Sequence, residues 1–101
     1  MKQELTATEK ELYQRTDEVL FYLWDPIGVN ECPEARDEYD GYTPHVFSMI
    51  IHEKSDGEIS NYLISIEQDS MGIIVDEKSK TKVQSIVEIL KNYKSHIEEK
   101  A

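Results

Sequence analysis

The residue types best suited to recognition chemistry are concentrated between Trp24 and Tyr42, in the stretch WDPIGVNECPEARDEYDGY. It opens on the chain's single tryptophan and closes on Asp37, Glu38, Tyr39, Asp40 and Tyr42. Aromatic rings offer rigid contact area and carboxylates orient a cationic surface, so this mixture suits contact with a basic protein. Trp24, Asp25, Asp37, Glu38, Tyr39, Asp40 and Tyr42 are therefore the candidate partner-binding residues. A structural reading stands beside it, in which Trp24, Ile27 and Val29 plug one end of a core while Asp25 and Asp40 cap helix or turn amides. The two are compatible, since one side of an ordered loop can close a core while the other stays free.

Metal and catalytic chemistry find less to work with. Asp25, Asp37, Glu38 and Asp40, with His45 nearby, could offer oxygen ligands to calcium or magnesium, but their spacing does not follow the twelve-residue calcium loop. His45 and His52 stand seven apart, where a zincin needs an i, i+4 pair, so they read as solvated or capping histidines. Cys32 lies between Glu31 and Glu34, and neighbouring carboxylates disfavour a reactive thiolate. No GxSxG, GxGxxG or GxxxxGK[ST] pattern occurs, and the four glycines leave little for a phosphate-cradling loop. The expectation is a non-enzymatic protein without metal or cofactor. A metal-dependent enzyme using the acidic loop is the weaker alternative.

Charge points the same way. The 101 residues carry 21 acids against 11 Lys and Arg, a net charge of −10. Residues 1–40 hold 11 acids and 4 bases, a net −7, whereas residues 41–101 hold 10 and 7, a net −3. Phosphate backbones and anionic membranes are repelled by such a surface, so neither nucleic acid nor membrane is an expected partner, and a basic protein is. One cysteine cannot form an internal disulfide, and Met1-Lys2-Gln3-Glu4-Leu5 leads into charged residues instead of an apolar signal core. The longest apolar run, Val19 to Trp24, is far too short to span a bilayer. A cytoplasmic setting is expected.

Four amphipathic segments must position these side chains. Thr8-Glu9-Lys10-Glu11 has the form of a capping box, and Leu12, Thr16, Val19, Leu20 and Leu23 follow at helical steps until Asp25-Pro26 and Gly28 stop them. Thr43-Pro44 suits a cap and a first helical residue, with Val46, Phe47, Ile50 and Ile51 as the stripe behind. Ser55-Asp56-Gly57-Glu58 starts a third helix, carrying Ile59, Tyr62, Leu63 and Ile66. Ile73-Ile74-Val75 has no second strand to pair with and reads as a buried connector. Val83, Ile86, Val87, Leu90, Tyr93 and Ile97 predict a final helix from about Glu77 to Glu98. The fold class expected is all-α, a small single-domain bundle of about four helices spanning residues 1–101. A long ordered loop should separate its first two helices, and short links should pack the last three antiparallel.

WDPIGV (Trp24 to Val29) followed by PEARDEYDGY (Pro33 to Tyr42) resembles a family of small, uncharacterised bacterial helical proteins, in which a W-D-P-I-G segment leads to D-E-Y-D and then to helices. The resemblance is tight over the middle of the chain and extends to the rest only in apolar pattern. It implies a bacterial, cytosolic, helical protein and brings no catalytic residues with it. More distantly, such chains look like immunity proteins, which neutralise toxins delivered between bacteria. A basic nuclease toxin would be a fitting partner for an acidic protein. An accessory protein that forms a homodimer through its long last helix is the competing expectation.

Overall fold

The computed structural model describes residues 5–100, and the side chain of Lys100 is not among the described parts. Helix α1 spans Ala7–Glu18 and runs on as a π-helical turn over Val19–Trp24. A short 3-10 turn, Pro33–Ala35, lies in the connection to α2 (Thr43–Ile51). Next come α3 (Asp56–Ser65), widened into a π-helical turn at Ile66–Ser70, and α4 (Glu77–Lys100). Among the described residues there is no strand, and the architecture is the small all-α bundle expected.

Helix starts follow the capping chemistry with some shifts. The first box is Thr6 with Glu9, not Thr8 with Glu11: the Glu9 amide donates to Thr6 Oγ1 at 3.1 Å and the Thr6 amide to Glu9 Oε1 at 2.9 Å. Both pairs fit the S/T-x-x-E pattern, and the earlier one is used because Leu5, just before it, packs on the core. Thr43 is not a cap. It is the first helical residue, buried, and its hydroxyl lies 3.4 Å from the Tyr39 carbonyl, tying α2 back to the loop. Ser55 caps α3 as expected, accepting from the Glu58 amide, and Asp76 caps α4 by accepting from the Ser79 amide.

Packing centres on α4, which meets α1 and α3 along much of its length, while α2 seats mainly on α1. α2 and α3 share few contacts, so the expected antiparallel stacking of these two helices does not occur. Their link turns a corner at Glu53, a non-glycine residue held left-handed at φ +55°. Val83, Ile86, Val87, Leu90 and Ile97 line the core side of α4. Tyr93, expected among them, sits at the edge, because Lys94 occupies the inward position of that turn and sends its amine out to Glu53 and Glu98. Ile73–Val75 forms no strand, yet it is not a buried connector either: Ile74 is 91% exposed. No described helix is long and apolar enough to cross a membrane.

Candidate functional site

The segment from Tyr22 to Tyr42 is built around two interior aromatic residues. Six apolar residues in succession, Val19 to Trp24, exceed what one helix face can bury. The widened last turn resolves the conflict by turning Val19, Leu20, Phe21 and Trp24 inward and leaving Tyr22 52% and Leu23 46% exposed. That turn closes where the Asp25 amide donates to the Leu20 carbonyl at 3.1 Å, and Asp25 itself adopts a left-handed conformation, φ +31°. A short polar side chain tolerates this geometry, and the following proline disfavours the α-helical alternative.

Asp25 then organises the loop. Its carboxylate accepts from the Tyr39 hydroxyl at 2.6 Å, the Val29 amide at 2.7 Å and the Asn30 amide at 3.0 Å. Partial burial opposes the charge, but these three donors outweigh it, and Asp25 lies below the usual carboxylate range with help from Lys82. The Tyr39 hydroxyl also accepts from the Ile27 amide at 3.3 Å. Burial, and next the Asp25 carboxylate, push its pKa well up, so it stays a donor. Trp24 and Tyr39 are 0% and 1% exposed, with ring centroids 5.4 Å apart, and Phe21 and Tyr42 pack against the pair. The indole Nε1 donates to Glu67 Oε2 at 2.9 Å, which gives this buried carboxylate of the second π turn its partner.

Around that interior sits an acidic rim. Asp37, Glu38 and Asp40 are exposed, as are Glu31 and Glu34, and among the described residues no ion pair involves any of the five. Arg36 is the only Lys or Arg between Arg15 and Lys54, and it is engaged: both its terminal nitrogens face the Asp17 carboxylate, at 2.7 and 3.4 Å. Its guanidinium lies over the rings of Phe21 and Tyr22, 4.8 and 5.4 Å from their centroids. The bond to Asp17 raises the Arg36 pKa still further. Asp40 is held above the usual carboxylate range by partial burial and by the neighbouring Asp17. Together Asp17, Pro33, Glu34, Arg36, Asp37 and Asp40 line a shallow, open depression.

The seven residues singled out in the sequence therefore divide. Trp24 and Tyr39 are interior, which corrects their assignment as contact surface: the apolar core takes their rings, and they can act only by fixing the shape of the loop. Asp25 is consumed by hydrogen bonds within the loop, and Tyr42 is half-buried against Trp24. Asp37, Glu38 and Asp40 remain at the surface. The alternative plug is realised by Trp24 and Val29 but not by Ile27, which is 42% exposed. Leu23, expected on the buried stripe of the first helix, faces outward with Tyr22 and Ile27, because an unbroken apolar run is more than one helix face can bury.

His45 stacks on Tyr62 with centroids 4.2 Å apart, and His52 Nδ1 lies 2.8 Å from the Ser48 carbonyl, closing the end of α2. Cys32 is exposed. Among the described residues no three of His, Cys, Asp and Glu converge where they could hold a metal ion. No family model, no curated protein and no solved structure matches the chain.

Proposed function

We propose that the protein is a non-enzymatic, cytoplasmic binding domain for a basic protein, and that neutralising a basic, nuclease-type bacterial toxin is the most concrete form of this role. The observation that carries the reading is the set of uncompensated carboxylates, Asp37, Glu38 and Asp40, held on a loop whose shape is fixed from inside by Asp25, Trp24 and Tyr39. Carboxylates on a rigid support can stand where a nuclease expects phosphates, and opposite net charges speed encounter. The toxin form leans further on the resemblance of WDPIGV and DEYD to small bacterial helical proteins. Capture of basic proteins from the source cell at low and high salt tests it: binding should fall with salt and with charge reversal at Asp37, Glu38 and Asp40. A complex indifferent to that reversal removes the three residues from the interface.

A second reading has one observation in its favour. Ile89, Asn92, Tyr93 and His96 line a shallow, mainly apolar depression on the outer side of α4, where a second copy could pack. Sedimentation at high concentration decides it, since a strictly monomeric mass leaves that helix face without a partner of its own kind.

A further inference from the structure

We infer that Tyr22, Leu23 and Ile27 are the anchor of the docking surface, and that the partner segment seated on them is a basic polypeptide stretch carrying an apolar side chain between lysines or arginines. This rests on the protein-binding reading above and names the chemistry of its partner.

Among the described residues, three of the five large apolar side chains left exposed, Tyr22, Leu23 and Ile27, fall within six residues of sequence. Their backbone is already held. The Tyr22 carbonyl accepts from Asn30 Nδ2 at 3.2 Å, the π turn containing Leu23 is closed by the Asp25 amide, and the Ile27 amide donates to Tyr39. Burying side chains on a prearranged backbone gains the apolar contact without ordering the chain, which is how a few residues come to dominate an interface. Leu23 and Ile27 need an apolar complement, because a lysine or arginine head group would be desolvated against them without a partner.

Charge selects the rest of the occupant. The residues that follow in the same braced segment are Glu31, Glu34, Asp37, Glu38 and Asp40, while of the cations near the loop Arg36 is spent on Asp17 and on the Phe21 and Tyr22 rings and Lys82 lies near Asp25. Nucleic acid and anionic lipid would be repelled at this rim. A second copy docking through the same patch would bring its own carboxylates against these, since a two-fold contact presents like to like. Flanking lysines or arginines of the partner meet these acids, and the apolar side chain between them is left for Leu23 and Ile27.

Calorimetric titration with two synthetic peptides of equal length and equal positive charge tests the inference, one pairing lysine with leucine and the other lysine with serine. The leucine peptide should bind about tenfold more tightly. Leu23→Ser should abolish that preference while leaving the serine peptide's affinity unchanged, and Ile27→Thr serves the same purpose if Leu23→Ser unfolds the chain. Combined Asp37→Asn, Glu38→Gln and Asp40→Asn should weaken both peptides. Equal affinities, with no effect of either apolar substitution, would overturn the anchor and leave the basic-partner reading intact. Binding of both peptides that ignores the acid substitutions, or no binding at all, would overturn both. Tight binding of a DNA oligonucleotide in place of the peptides, or a dimer that Leu23→Ser converts to a monomer, assigns the patch to another occupant and overturns the inference.

Discussion

Two acidic neighbourhoods of this molecule are treated in opposite ways. At the α2–α3 corner Lys91 pairs with Asp56 and donates to the Lys54 carbonyl, and Lys94 reaches Glu53 and Glu98. Along the α1–α2 connection the acids from Glu31 to Asp40 meet a single arginine, and that arginine is turned toward Asp17. Coverage of charge separates acids that serve the fold from acids left available. Within the connection the same line runs between Asp25, whose oxygens accept from three donors, and Asp37, Glu38 and Asp40, which no Lys or Arg pairs among the described residues.

The sharpest way to break this contrast is to remove its interior support. Trp24→Ala should cost about 3–5 kcal/mol in urea unfolding, since it opens a cavity and also strips the buried Glu67 of its donor. Tyr39→Phe keeps the ring and deletes the hydroxyl bridging Asp25 to the Ile27 amide, and should cost about 1–3 kcal/mol. A loss under that range would mean water replaces the hydroxyl and the loop is held less firmly than described.

Acid titration separates Asp25 from Asp40. Asp25 is depressed in the folded state, so its contribution is present above the ordinary carboxylate range and is lost as pH falls through its folded value. Asp40 is raised, so its contribution has the opposite sign: it is present at low pH and lost as pH rises through the folded value. Asp25→Asn should therefore flatten the acid side of the stability curve, whereas Asp40→Asn should leave that fall in place. At the corner, Glu53→Gly should stabilise by roughly 0.5–1 kcal/mol in thermal unfolding, because glycine adopts the left-handed conformation without a Cβ penalty and the lost pair with Lys94 is a surface one. Smallest of all, combined Asp37→Asn, Glu38→Gln and Asp40→Asn should change stability by no more than about 0.5 kcal/mol. A large loss there would show these acids to be structural and erase the contrast.

Much of the fold was legible because its signals are local. Four apolar periods, the Ser55 cap and the stop at Asp25-Pro26 each depend on residues within one or two turns of one another. Thr6 and Thr8 both satisfied the same capping pattern, and only the packing of Leu5 decides between them. The site was harder. An unbroken run from Val19 to Trp24 cannot tell which side chains face out, because that depends on the π turn and on what it packs against. Glu67 is a polar residue on a helix, and its partner Trp24 lies 43 positions away, so nothing nearby in sequence marks it as buried. Aromatic content suits Trp24 and Tyr39 to a contact surface as well as to a core, and their size gives them more to gain inside.

The loop after α1 is braced from within, independently of the carboxylates it displays. Hydrogen exchange of the Val29 and Asn30 amides, which Asp25 accepts, reads that bracing directly. Both amides should be protected in the wild-type protein and equally so after Asp37→Asn, Glu38→Gln and Asp40→Asn are combined, and Tyr39→Phe should speed their exchange. Free exchange of Val29 and Asn30 in the wild-type protein would contradict the account.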